Sequence, residues 1–194
     1  MKILGDIGNT ETKICLVDNN KILKKIIIPS KGKKLNFLSK YFKNFKFSKI
    51  NKILFCSVVP STYKKLKSYF TKKTKVKCFE LKELNIKSIL KIDVNYKQVG
   101  SDRLANAISV SDKNKNYIIL DFGTATTFDI LIGNNYKGGV ISPGIKISLN
   151  TLSDRASLIP KINLKKMSKI IGKDTKSAVR SGFFWGYAGL IDNI

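Results

Sequence analysis

Residues 3–20, ILGDIGNTETKICLVDNN, and residues 118–135, IILDFGTATTFDILIGNN, are one pattern written twice. At a constant offset of 115 and without a gap, Asp6 meets Asp121, Gly8 meets Gly123, Thr12 meets Thr127 and Leu16 meets Leu131. Asn19-Asn20 likewise meet Asn134-Asn135. An internal repeat is read before any local pattern, because it constrains the whole architecture. Each copy predicts a buried strand, an Asp-x-Gly turn, a second strand, an Asn-Asn turn and a third strand. In the first copy these strands cover residues 2–8, 12–18 and 21–28.

Outside the repeat, the first half alternates helix and strand. Leu35, Leu38, Phe42 and Phe45 mark one helical face. Residues 50–59 read as a buried strand closed by Pro60, and Tyr63, Leu66, Tyr69 and Phe70 stripe a second helix. Residues 75–81 give another strand, and residues 101–112 a helix starting near Ser101 or Asp102. The expected fold is α/β, with duplicated ribonuclease-H-like halves facing a cleft: residues 1–112 and residues 113–194. After its meander the second half reads as two helices. It has no counterpart to the strands near 50–59 and 75–81, so it reads as shortened at its C-terminal end.

Charge gives less than it offers. Of 194 residues, 37 are Lys or Arg against 13 Asp or Glu, for a net charge of +24. Only Arg103, Arg155 and Arg180 are arginines, whereas readers of DNA sequence favour the planar Arg fork. Residues 21–91 alone sum to +19, while residues 1–20 sum to −1 and residues 92–160 to +1. The excess coats one stretch and leaves the repeats near neutral, so nucleic acid is expected only through non-specific charge attraction at low salt. Cys15, Cys56 and Cys78 lack CxxC spacing and read as reduced thiols. The chain has no His, which excludes Ser-His-Asp triads and His general bases. Apolar runs such as residues 182–191 fall short of the roughly 20 residues that span a bilayer. The acid at Asp6 comes too early for a signal peptide. The expectation is a cytoplasmic protein with no membrane partner.

An Asp ending a buried strand, followed by Gly and small hydroxyl or amide residues, suits a phosphate–metal site. Glycine lets the backbone approach, amide N–H groups cradle oxygens, and the carboxylate holds a hard cation. Asp6-Ile7-Gly8-Asn9-Thr10 and Asp121-Phe122-Gly123-Thr124-Ala125-Thr126 both have this form. With Gly100-Ser101-Asp102-Arg103, Gly138-Gly139 through Pro143-Gly144, and the segment 172–182 (GKDTKSAVRSG), they run nearly end to end. In that combination and order the chain resembles the type III pantothenate kinases, of the actin/hexokinase/Hsp70-like phosphotransferase superfamily. Gly172-Lys173 is not a Walker motif, because its neighbouring Gly and Ser/Thr are misplaced.

The resemblance implies an actin-like ATPase fold and ATP-dependent phosphorylation of pantothenate to 4′-phosphopantothenate, the first step of coenzyme A biosynthesis. It implies that Asp6, Ile7, Gly8, Asn9, Thr10, Glu11, Thr12 and Lys13 bind the ATP phosphates, with Asp6 meeting Mg²⁺ directly or indirectly. It adds Thr124 as a phosphate contact and Asp121 as the holder of a monovalent cation, K⁺ or NH₄⁺. Tyr96, Gly100, Ser101, Asp102, Arg103 and Thr175 would bind pantothenate, with Asp102 as proton acceptor and Arg103 on the substrate carboxylate. Phosphoryl transfer asks mainly for positioning, charge neutralisation and one placed base, which this set supplies. A bidentate carboxylate clamp is a task for which Lys substitutes poorly, and Arg103 is one of few arginines. The family is dimeric. The C-terminal helix, residues 174–192, pairs a stripe of Phe183, Phe184, Tyr187, Leu190 and Ile191 with Gly182, Gly186 and Gly189, and is the expected subunit contact in a homodimer. Two alternatives stand beside this reading: a truncated or degenerate non-catalytic relative, and a related small-molecule kinase of the same superfamily.

Overall fold

A computed structural model describes residues 1–30, 38–43 and 45–194. Leu35, read as part of a helical face, lies outside the described residues. The described chain divides into two compact units, one of Met1–Ile119 with Asp129–Gly138, the other of Leu120–Phe128 with Gly139–Ile194.

In the first unit, β1 (Lys2–Ile7), β2 (Glu11–Asp18) and β3 (Lys21–Pro29) form the antiparallel meander that the first copy predicts. Alternation sets its faces: Thr12, Ile14 and Leu16 are buried while Glu11 and Lys13 are exposed. The β2–β3 turn is Asn19-Asn20, with φ of 43° and 60°. Both central residues are therefore left-handed, as a two-residue hairpin of matching twist requires. On the other edge, β4 (Lys52–Ser57) pairs with β1 in parallel, and β5 (Cys78–Glu80) extends the sheet in the order β3-β2-β1-β4-β5. Helix α1 (Leu38–Tyr41) and helix α2 (Pro60–Thr74) supply aromatic packing. Phe42 meets Phe45 and Phe70 at ring-centre distances of 5.1 and 5.0 Å. These rings cover Ile3, Ile7, Ile14 and Ile53, all fully or nearly fully buried.

The strand expected over 75–81 is shorter than the sequence suggests. Helix α2 runs to Thr74 and is capped by Lys75 in the left-handed region, φ 57°, so pairing starts only at Cys78. Helix α3 (Ser101–Val110) closes the first unit, its Leu104 and Ala107 packed with Leu90, Leu131 and Tyr136 in a second core.

The second meander is β7 (Asn116–Phe122), β8 (Ala125–Ile132) and β9 (Asn135–Pro143), with β6 (Lys91–Ile92) on its edge in the order β6-β9-β8-β7. Its strands run through both units. Its second turn falls at Gly133-Asn134 rather than at the Asn134-Asn135 that the aligned register suggests. Gly133 takes φ 58° there, a conformation free of side-chain cost only in glycine. The second unit continues with α4 (Ile145–Arg155) and α5 (Thr175–Asn193). Among the described residues, no helix is long and apolar enough to cross a membrane.

Candidate active site

In the first unit, the parallel pairing of β1 with β4 places Asp6 beside Cys56 and Ile7 beside Ser57. Beyond β1 the chain turns through Gly8, whose N–H donates to the Glu11 carbonyl at 3.1 Å. Asn9, Thr10 and Glu11 are exposed, and Lys13 lies across from Asp6, its Nζ 3.9 Å from Oδ2. Ile7 and Thr12 point the other way. Ile7 is fully buried in the core, and so is Thr12, whose Oγ1 pairs with Ser30 Oγ at 2.8 Å. Any phosphate contact from Ile7 would be made by its backbone.

Helix α3 brings the second group. Ser101 Oγ donates to the Ser57 carbonyl at 2.8 Å and accepts from the Ser57 N–H at 2.9 Å, fastening the helix start to the end of β4. Its hydroxyl is thereby committed to holding the loop in place. Asp102 follows in the first turn, where the helix dipole favours an acid, and its Oδ1 accepts the Arg103 N–H at 2.8 Å. Cys56 lies against Asp6, and the charge of Asp102 also acts on it. The thiol donates to Asp6 Oδ1 and to the Gly5 carbonyl, each at 3.6 Å. Burial raises its pKa above the ordinary thiol range, and the negative charges of Asp6 and Asp102 push it further. Two carboxylates from separate elements thus share one end of the parallel β1–β4 pair.

Gly100 makes that arrangement possible. Its backbone is ordinary, φ −61° and ψ 142°, yet a Cβ there would collide with Asp102 Oδ1. Gly100→Ala is therefore expected to re-aim the Asp102 carboxylate at little cost to the fold. The obstacle is the end of a side chain, so the melting temperature should stay close to wild type while kcat falls about tenfold. A steady-state assay alongside a thermal melt checks both.

Tyr96 is half-buried, its hydroxyl donating to the Lys82 carbonyl at 3.3 Å with Lys82 Nζ 5.4 Å from its ring centre. Arg103 is tied to Asp129, a residue that the motif reading missed. Its Nε donates to Asp129 Oδ1 at 2.7 Å, and its Nη2 lies 2.6 Å from the same oxygen. The signal for Asp129 was in the repeat, where an acid interrupts an otherwise apolar alternation at the position of Ile14.

In the second unit, the turn after β7 leaves Asp121 and Thr124 exposed, with the Gly123 N–H donating to the Ala125 carbonyl at 2.9 Å. Gly144 supports it from behind: its N–H donates to the Thr124 carbonyl at 3.0 Å, and a Cβ there would collide with the backbone oxygens of Gly123 and Thr124. Asp174 caps α5 and exchanges a full capping box with Ser177, which leaves Thr175 exposed in the first turn without a capping task. Between α4 and α5 lies a groove of about 440 Å³ lined by Pro143, Leu152, Phe183, Tyr187 and Leu190. A Cβ at Gly182 or Gly186 would meet nothing within 4 Å among the described residues.

A family model described as type III pantothenate kinase matches residues 2–194. The type III pantothenate kinase of Pelagibacter ubique (strain HTCC1062) is 61% identical over 197 residues, covering 100% of this chain and 79% of that protein. That of Sulfurihydrogenibium sp. (strain YO3AOP1) is 37% identical over 206 residues, covering 100% and 81%. Among solved structures, a conserved putative Baf family transcriptional activator from Campylobacter jejuni is similar with a TM-score of 0.59. It is 22% identical, and the match covers 98% of this chain and 78% of that one. A putative 2-dehydro-3-deoxygalactonokinase from Sinorhizobium meliloti also gives 0.59, at 8% identity and 99% and 82% coverage. At such identities the likeness shows the fold alone, the duplicated α/β architecture of actin-like ATPases and sugar kinases.

Proposed function

This chain belongs to the type III pantothenate kinase family, and from that premise we propose how its residues divide the work. The chain phosphorylates pantothenate with ATP, the first step of coenzyme A biosynthesis. Of the alternatives, membership of this family favours the pantothenate kinase over a kinase of another substrate, and an intact pair of acids favours it over a non-catalytic relative. The observation that carries the reading is that Ser101 fastens the start of α3, with Asp102 next to it, to the end of β4 that pairs with the Asp6 end of β1.

Asp102 accepts the proton of the pantothenate primary hydroxyl as that oxygen bonds to the γ-phosphorus and the bond to the β–γ bridging oxygen breaks, releasing ADP. The exposed stretch of Asn9 and Thr10, turned outward by Gly8, meets the phosphates together with Lys13, and Thr124 is a further phosphate contact. Magnesium ordinarily takes one or two carboxylates and leaves its other positions to water and phosphate oxygens. Asp6, half-exposed and with Lys13 at 3.9 Å as its one ion-pair partner among the described residues, fits that demand. Held by Asp6, a Mg²⁺ ion would supply charge neutralisation at the transferring phosphate. Asp121 holds the monovalent cation, K⁺ or NH₄⁺. Arg103 meets the substrate carboxylate, Gly100, Ser101 and Tyr96 shape the pocket around it, and Thr175 is a further substrate contact. The reaction takes place in the cytoplasm in this reading. A second copy of the chain packs on the open glycine face of α5, giving a homodimer.

A coupled assay of ADP release, with and without pantothenate and in K⁺ or Na⁺, tests the reading. Release should require pantothenate and be faster in K⁺. Release that ignores pantothenate would overturn the substrate assignment, and equal rates in the two salts would overturn the role of Asp121.

A further inference from the structure

Asp129 is an acid that the repeat itself does without. In the register of 115 residues it takes the place of Ile14, and both side chains are fully buried. One copy of the strand fills this position with an aliphatic group, so the fold does not call for a carboxylate there. Burying a charge is costly unless it is paired, and a buried pair seldom gains stability over apolar groups of similar volume. What the pair supplies is direction. On Asp129 Oδ1 converge Arg103 Nε at 2.7 Å, Arg103 Nη2 at 2.6 Å and the Tyr136 hydroxyl at 2.5 Å. Tyr136 is itself fully buried, and burial together with Asp129 raises its pKa, so its hydroxyl stays a donor. The Arg103 side chain, only 14% exposed, is held in one orientation. Its Nη2 has no aligned acceptor among the described residues. A guanidinium gripped along one edge offers its remaining N–H groups in a fixed direction, the requirement for fork-to-carboxylate recognition.

We propose that Asp129, steadied by Tyr136, is a positioning residue that fixes the Arg103 guanidinium for the substrate carboxylate and so sets the preference for an acidic over a neutral substrate. The proposal rests on the reading that Arg103 meets that carboxylate.

The test is a comparison of pantothenate with its neutral alcohol analogue. Asp129→Asn should raise KM for pantothenate roughly tenfold, in the range typical of lost supporting partners, with kcat within about threefold. KM for the alcohol should not move. In an Arg103→Ala background, Asp129→Asn should add nothing. Because Asp129→Asn leaves a buried guanidinium unpaired and can fail to fold, Tyr136→Phe keeps the ion pair and removes one donor. It should raise KM for pantothenate alone by about 2–10-fold. Equal rises for both substrates, no change in either folded variant, or an undiminished Asp129→Asn effect without Arg103 would each overturn the proposal. If Arg103→Ala itself spares KM for pantothenate, the carboxylate reading falls first and takes this proposal with it.

Discussion

Asp102→Asn is expected to lower kcat by about 10²–10⁴-fold, the contribution a positioned general base ordinarily makes. The substitution is nearly isosteric. The amide oxygen of Asn can still accept the Arg103 N–H that Asp102 Oδ1 accepts at 2.8 Å, so the first turn of α3 keeps its local bond. Ser101 and its two bonds to Ser57 are untouched, and they fix where that turn sits. The melting temperature should therefore stay within about 2 °C of wild type, a shift worth about 0.5–1 kcal/mol in a chain of this size. KM for ATP should also hold, because none of the proposed phosphate contacts lies on α3. Full activity in a folded Asp102→Asn protein would remove Asp102 from the chemistry while leaving family membership intact.

Legibility in the sequence differed by the physics involved. The first meander, β1 to β3, was plain because alternation, an Asp-x-Gly turn and an Asn-Asn turn all point one way. The Asp6 and Asp102 motifs were plain as well, but their convergence was not, because it depends on which strand β1 pairs with and on Ser101 fastening α3 to β4. No local pattern encodes a contact between residues some 50 or 100 positions apart. The short β5 was misjudged because α2 runs to Thr74 with Lys75 as its left-handed cap, a conformation that side-chain preference argues against. The buried side of the phosphate turn was equally hidden. Thr12 reads as one more small hydroxyl beside a phosphate, yet period-two alternation turns it into the core against Ser30. Asp129 was visible only as a mismatch between the two copies, and it took the three donors on its Oδ1 to give the mismatch a meaning.

Gly144→Ala is expected to reduce kcat/KM for ATP by about 10²-fold, although Gly144 stands 20 residues beyond the turn that would touch phosphate. The obstacle here is backbone. A Cβ at Gly144 would run into the carbonyl oxygens of Gly123 and Thr124, and neither can swing aside as a side chain can. Either the turn of residues 121–126 shifts or β9 does, and the Gly144 N–H bond to the Thr124 carbonyl, 3.0 Å long, is strained in both cases. Overpacking of this kind costs about 1–3 kcal/mol, which lowers the melting temperature by several degrees. The loss of activity should exceed what instability explains, because displacing a charge-stabilising group by about 1 Å can cost 10²-fold in rate. Gly123→Ala provides the contrast. Motif reading ranks Gly123 above Gly144, since it sits within the Asp121-Phe122-Gly123-Thr124 turn itself. Yet a Cβ there would lie 3.6 Å from the Ala125 carbonyl, an ordinary contact. Gly123→Ala should therefore destabilise the fold less than Gly144→Ala. Thermal melts and ATP titrations of the two proteins decide the order, and a Gly144→Ala protein as stable and active as wild type would refute the support assigned to that glycine.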